Sequence, residues 1–155
     1  MAVLISVLAP RYLKYVERAR NVSDLQNARA VVTAIQTYAT DSNNGLPPPD
    51  YWQAVTAFAV DDRENRPDNA HGGSYGGAND GDTRVDDYAW YAMQEAGLIK
   101  PSGRPVGIRA QSRHSWETWT VEYKSDGKGG IIFRFGEKAG EPVEGDKFRE
   151  AMAGN

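Results

Sequence analysis

The first 44 residues, MAVLISVLAPRYLKYVERARNVSDLQNARAVVTAIQTYATDSNN, read as one long helix with a proline near its start. After Pro10 the apolar positions run Tyr12, Tyr15/Val16, Ala19, Val22, Leu25, Ala28, Val31/Val32, Ile35 and Tyr38. Steps of three and four draw one slowly drifting stripe down a helix. Lys14, Glu17, Arg18, Arg20, Asp24, Asn27 and Gln36 fall between them as polar positions. Pro10 lacks an N–H and crowds the preceding turn, so a kink or local melting is expected there. Asn43-Asn44-Gly45 followed by Pro47-Pro48-Pro49 ends the helix. Forty helical residues at 1.5 Å rise span ~60 Å, about twice the width of a domain this small. One end must protrude, and the apolar end, Met1 to Ala9, is the one that needs covering.

The chain has 155 residues, enough for one domain plus a protruding element. A formal net charge of −3 argues against general nucleic-acid binding. Four tryptophans and eight tyrosines can anchor a small core, and the absence of cysteine excludes disulfides and thiolate metal sites. The N-terminus does not read as a secretory signal, because its positive charges follow the apolar stretch instead of preceding it. A spanning helix needs ~20 apolar residues, and Met1 to Ala9 supplies about half of that. Two readings follow: a chain truncated ahead of Met1, which is the expectation, or a short helix end buried against partners.

Asp50 is placed to cap a short second helix, Tyr51 to Val60, with Tyr51, Ala54, Val55 and Phe58 inward. From Asp61 to Thr83 the chain is polar and glycine-rich and reads as a long loop. A third helix is expected from Asp86-Asp87 to about Ala96, closed by Gly97 in the left-handed region. Trp119, Val121 and Tyr123 alternate with polar neighbours, and Ile131, Phe133 and Phe135 repeat the pattern after Ser125-Asp126-Gly127-Lys128-Gly129-Gly130. That spacing predicts a β-hairpin over 116–136. Two strands alone are marginal, so the sheet must pack on the first helix with a further short strand. Glu144 to Met152 reads as a weak amphipathic tail. The expected fold class is α+β: a long kinked N-terminal helix against a small antiparallel sheet.

Few constellations suggest chemistry. Gly72-Gly73-Ser74-Tyr75-Gly76 matches G-x-S-x-G, but it lacks the strand before and the helix after that a nucleophile elbow requires. A loop is the far better reading. His71 and His114 lie on different segments and make a poor zinc set without cysteine. Asp80, Asp82 and Asp86 offer calcium-type oxygen ligands without EF-hand spacing, and an acidic solvated loop is the stronger reading. Charge is unevenly spread, with eight acids against three arginines from Asp61 to Asp87. Lys100, Arg104, Arg109 and Arg113 follow with no acid among them, so the two loops are expected to meet between subunits.

Val7-Leu8-Ala9-Pro10-Arg11-Tyr12-Leu13-Lys14-Tyr15, with the amphipathic run beyond, resembles the type IV pilin and pseudopilin family. In that family an apolar helix segment closes with a proline, and a charged amphipathic half carries the sheet. Gly97-Leu98-Ile99-Lys100 is similar to a short turn often found before the sheet in such subunits. The family's leader, processing site and the glutamate after it have no counterpart here, nor does the disulfide loop of many pilins.

The resemblance implies a non-catalytic structural subunit, extracellular once assembled, polymerising with itself or with other pilin subunits. Membrane attachment would run through a segment ahead of Met1. The expected assembly helix holds Val3, Leu4, Val7, Leu8, Pro10, Tyr12, Leu13, Tyr15 and Val16, with residues 1–24 protruding and residues 25–155 forming the head. No cofactor is expected, although some pseudopilins hold calcium in a head loop. The alternatives are a minor pseudopilin of a secretion or DNA-uptake machine, and a membrane-tethered extracytoplasmic binding domain.

Overall fold

The computed structural model describes residues 2–58, 78–79, 83–85, 87–99 and 108–154. Helix α1 (Ala2–Ala39) is followed by strand β1 (Gln53–Phe58), strands β2 (Ala78–Asn79) and β3 (Thr83–Val85), and helix α2 (Asp87–Glu95). Strands β4 (Thr118–Ser125) and β5 (Ile131–Gly136) and helix α3 (Lys147–Ala153) complete the chain. The fold is mixed α+β, with an N-terminal helix against one antiparallel sheet of order β2-β3-β1-β4-β5.

The expected hairpin is β4–β5, in register from Thr120↔Gly136 to Ser125↔Ile131. The expected second helix is instead β1. Gln53, Val55 and Ala57 are buried in alternation, and β3 and β4 take up the backbone groups on its two sides. An apolar run this short does not choose between helix and strand by itself, and the two pairing partners decide it. Likewise β2 lies within the stretch read as loop and β3 begins at its last residue, with Thr83 paired to Ala57 and Val85 to Val55. Helix α1 runs through Pro10 as a single element, so the melting expected there is not seen. The proline removes one hydrogen bond while the turns on either side keep theirs.

The buried face of the sheet carries Val55, Ala57, Trp119, Val121 and Tyr123, and α1 packs there through Ala28, Val31 and Ile35. Helix α2 ends as expected: the Leu98 N–H reaches the Met93 carbonyl, the Gly97 N–H reaches Gln94, and Gly97 has φ +80°. Its first turn is also satisfied. The Tyr88 N–H donates to Gln53 Oε1 and the Ala89 N–H to the Tyr123 hydroxyl, which itself donates to Gln53. Tyr88 meets Tyr38 edge-on at 5.1 Å and donates to the Gly45 carbonyl. Burial, with Tyr38 beside it, pushes the Tyr88 phenol up to about 12, so it stays a donor at neutral pH. The tail read as weakly amphipathic is α3, capped by Asp146, and its Phe148 stacks on Trp119 and meets Trp116 edge-on.

Candidate functional site

Glu17, Asn21 and Asp24 stand four and three residues apart, which puts them on one face of α1. Continued, that spacing reaches Ala28, Val31 and Ile35, so the face packed on the sheet begins polar and turns apolar. Opposite the polar part lies the irregular segment Gln111–Trp116, bent at Arg113–Ser115, which approaches α1 with its N–H groups forward.

Asp24 is fully buried. Its Oδ1 accepts from the Gln111 N–H (2.7 Å) and the Trp119 indole (3.3 Å), and its Oδ2 from the Ser112 N–H (2.9 Å) and the Trp116 indole (2.8 Å). A charge removed from water needs such a set of partners, and ionised acceptors make the stronger hydrogen bonds. Two turns earlier, Glu17 accepts from the Ser112 hydroxyl at 2.7 Å and from the N–H groups of Arg113, His114 and Ser115. Arg20 stands 3.9 Å away on the solvent side. Between the two carboxylates, the Asn21 amide satisfies most partners with its oxygen accepting from Ser115 and its nitrogen donating to Ser112. Three consecutive N–H groups converging on one anion form a nest, here filled by the chain's own helix.

Partial burial alone would raise the Glu17 pKa, but the bonds from Ser112, His114, Arg113 and Ser115 outweigh it and hold the carboxyl below its ordinary value of 4.5. A depressed carboxylate stabilises the fold above the unfolded value and loses that contribution as pH falls through the folded one. Amide exchange at Arg113, His114 and Ser115 is therefore expected to accelerate only below pH 4.5, ahead of global unfolding. Glu17→Gln should show fast exchange there already at pH 7, and unchanged exchange in that variant would exclude the nest.

Beyond the clamp, towards the N-terminus, α1 leaves the head. Tyr12, Leu13, Lys14 and Tyr15 are all exposed, with Tyr12 at 67% and Leu13 and Tyr15 at 65%. Four consecutive helical residues point to every side of the helix, so none of its faces touches the head at that level. Val16 is half-buried, and Val22, in the expected apolar stripe, is 50% exposed. The inward face at this end of the contact is thus Glu17/Asn21/Asp24 and not Ala19/Val22. Val3, Leu4, Val7, Leu8 and Pro10 lie on α1, in a part where only the backbone is described.

Of the expected interface cations, Arg109 and Arg113 are exposed on the segment leading into the nest, and Lys100 and Arg104 lie outside the described residues. Asp80, Asp82 and Asp86, His71 and the glycine-rich motif also lie outside them. Among the described residues no group of three or more His, Asp or Glu could hold a metal, and no helix is long and apolar enough to cross a membrane. On the sheet face turned away from α1, Arg134 binds Glu122 at 2.8 Å and lies 4.1 Å from the Trp52 ring centroid, with Lys124 at 4.8 Å. The Arg134 charge in that aromatic cluster is already neutralised by Glu122 and Glu141.

Comparison with protein-family models, with curated proteins and with solved structures returns no match for this chain.

Proposed function

We propose that this chain is a structural subunit that assembles through α1 into a type IV pilus-like filament displayed at the cell surface. The observation that carries the reading is the ring of exposed residues Tyr12, Leu13 and Tyr15 on a helix standing clear of its own head. Large apolar groups grouped on a protruding element mark an interaction site. Before Glu17 the helix continues for ~22 Å at 1.5 Å per residue, long enough to lie beside the helices of several neighbours. Head-to-tail contacts that do not close on themselves give helical filaments.

The clamp supports the same reading. A helix that transmits load between neighbours must be fixed to its head, and the buried Asp24 with the peripheral Glu17 does this across two turns. The exposed side chain of Arg113, at the nest, favours charge contact with an adjacent head.

The test is self-association of the full chain by sedimentation and electron microscopy. Tyr12→Ser, Leu13→Ser and Tyr15→Ser combined should abolish filaments or oligomers and leave the melting temperature within about 5 °C, because exposed positions contribute within ~0.5 kcal/mol each, at ~2–4 °C per kcal/mol. Undiminished assembly of that triple variant overturns the reading.

A further inference from the structure

Among the described residues strand β5 is the last strand of the sheet on its side, and its hydrogen-bonding parity is fixed by the turn that precedes it. The Asp126 N–H bonds the Gly130 carbonyl at 3.0 Å, so the pair 126/130 is hydrogen-bonded, and with the β4–β5 register so are 124/132, 122/134 and 120/136. The N–H and C=O groups of Ile131, Phe133 and Phe135 therefore point away from β4. None of them has a hydrogen-bond partner among the described residues.

Proteins usually blunt such an edge with lysine, proline, a bulge, an inward charge or a covering helix or loop; α3 packs against β5, on the helix-bearing face where its Phe148 stacks on Trp119. Ile131-Ile132-Phe133-Arg134-Phe135-Gly136 has no lysine, no proline and no acid. Its one charge, on Arg134, is turned over Trp52 and bound to Glu122. Ile132 is 43% exposed. Beside the strand, Ile131 and Phe133 line an open groove with Leu46 and Ala39 at the C-terminal end of α1.

We infer that β5 is a second assembly surface, which pairs antiparallel with β5 of another copy, centred on Phe133, to make one continuous sheet. The sequence is self-complementary in that arrangement. Phe133 stands opposite its counterpart and Ile131 opposite Phe135, all on the helix-bearing face, and all three backbone sites find partners. On the other face Ile132 stands opposite the partner's Arg134, so no like charges oppose one another. A parallel arrangement in register would instead align arginine with arginine, which is unfavourable. The occupant is an extended backbone whose apolar residues repeat with the strand period, and β5 itself meets that description.

This surface is separate from the exposed N-terminal turns of α1, and the test keeps the two apart. The chain has no cysteine, so Ile132→Cys introduces a single thiol. In the proposed register the thiols of two such copies are diagonal neighbours, ~7–8 Å apart on one face, within reach of a short bismaleimide. The full chain carrying Ile132→Cys together with the serine substitutions at Tyr12, Leu13 and Tyr15 should give covalent dimer at least tenfold faster than the same chain with Val143→Cys, at an exposed control position. Adding Ile131→Pro, which removes only an outward N–H at the first residue of the strand, should reduce that rate at least tenfold. Where Ile131→Pro lowers the melting temperature, Ile132→Lys is read instead by sedimentation, and it should remain monomeric because the lysine faces the partner's arginine. Equal cross-linking rates for Ile132→Cys and Val143→Cys, or dimer that requires Tyr12, Leu13 and Tyr15, overturns the inference. So does a cross-link indifferent to Ile131→Pro, or a dimer that tolerates Ile132→Lys.

Discussion

Asp24→Ala is expected to lower the melting temperature by roughly 10 °C. The carboxylate is fully buried and satisfies two peptide N–H groups and two indole N–H groups. Removing it leaves four donors in a site that water reaches poorly, at ~1–3 kcal/mol for each left unpaired. Partial rehydration of the vacated space reduces the sum to about 3–5 kcal/mol, the range found when one member of a buried charged cluster is deleted. For a domain of this size each kcal/mol shifts the midpoint by ~2–4 °C. Asp24→Asn tests the charge separately. It keeps one acceptor oxygen but turns an NH2 group towards donors, so it should recover less than half of the loss. Near-UV circular dichroism should report Trp116 and Trp119 directly, since both indoles hydrogen-bond Asp24. An alanine variant that melts with the wild type would show that the segment 111–116 is held by its aromatic packing alone.

The sequence discloses much of this fold and little of the clamp, for identifiable reasons. The helix α1, the hairpin β4–β5 and the Gly97 helix stop each follow from a local signal: a 3.6-residue period, strict alternation across a glycine turn, and a glycine with φ +80°. Strand β1 does not, because its six residues acquire their conformation from β3 and β4 on either side. Helix α3 is equally non-local, since Phe148 gains its burial from Trp116 and Trp119, about thirty residues away.

Glu17 and Asp24 look like solvent-facing charges when only apolar residues are counted. The phase of the stripe contains the missing information. Counting back from Ile35 through Val31 and Ala28 in steps of four and three lands on Asp24, Asn21 and Glu17 and never on Val22 or Ala19. A stripe of constant phase would have bent the reading towards a polar contact. The drift allowed in the apolar count moved it instead to Val22, which is 50% exposed. Nothing local marks Gln111–Trp116 as the partner, because a segment that offers backbone N–H groups needs no particular side chains to do so.

Two N-terminal truncations should separate the assembling part of α1 from the part that belongs to the head. A chain beginning at Val16 loses Tyr12, Leu13 and Tyr15 but keeps Glu17, Asn21 and Asp24. It should be free of α1-mediated assembly and melt within about 2 °C of the intact chain, since the residues removed from 12 to 15 are exposed. A chain beginning at Ser23 should lose the same assembly and also be less stable. It retains Asp24 and the apolar contacts of Ala28, Val31 and Ile35, so it should still fold. The Ser112 hydroxyl and the N–H groups of Arg113, His114 and Ser115 then have no carboxylate. Three of these four donors belong to residues at least partly open to water, so the cost is about 1–2 kcal/mol and not the larger penalty of a dry site. At ~2–4 °C per kcal/mol the second truncation should melt roughly 5 °C below the first. The deficit should also shrink at acid pH, where protonation of Glu17 removes its bonds from the longer chain and leaves only those of Asn21. Equal melting of the two truncations at pH 7 would place the head boundary at Ser23 and reduce the nest to a surface contact. Collapse of both would make the exposed turns before Glu17 part of the folding unit, contrary to the clear separation of Tyr12, Leu13 and Tyr15 from the head.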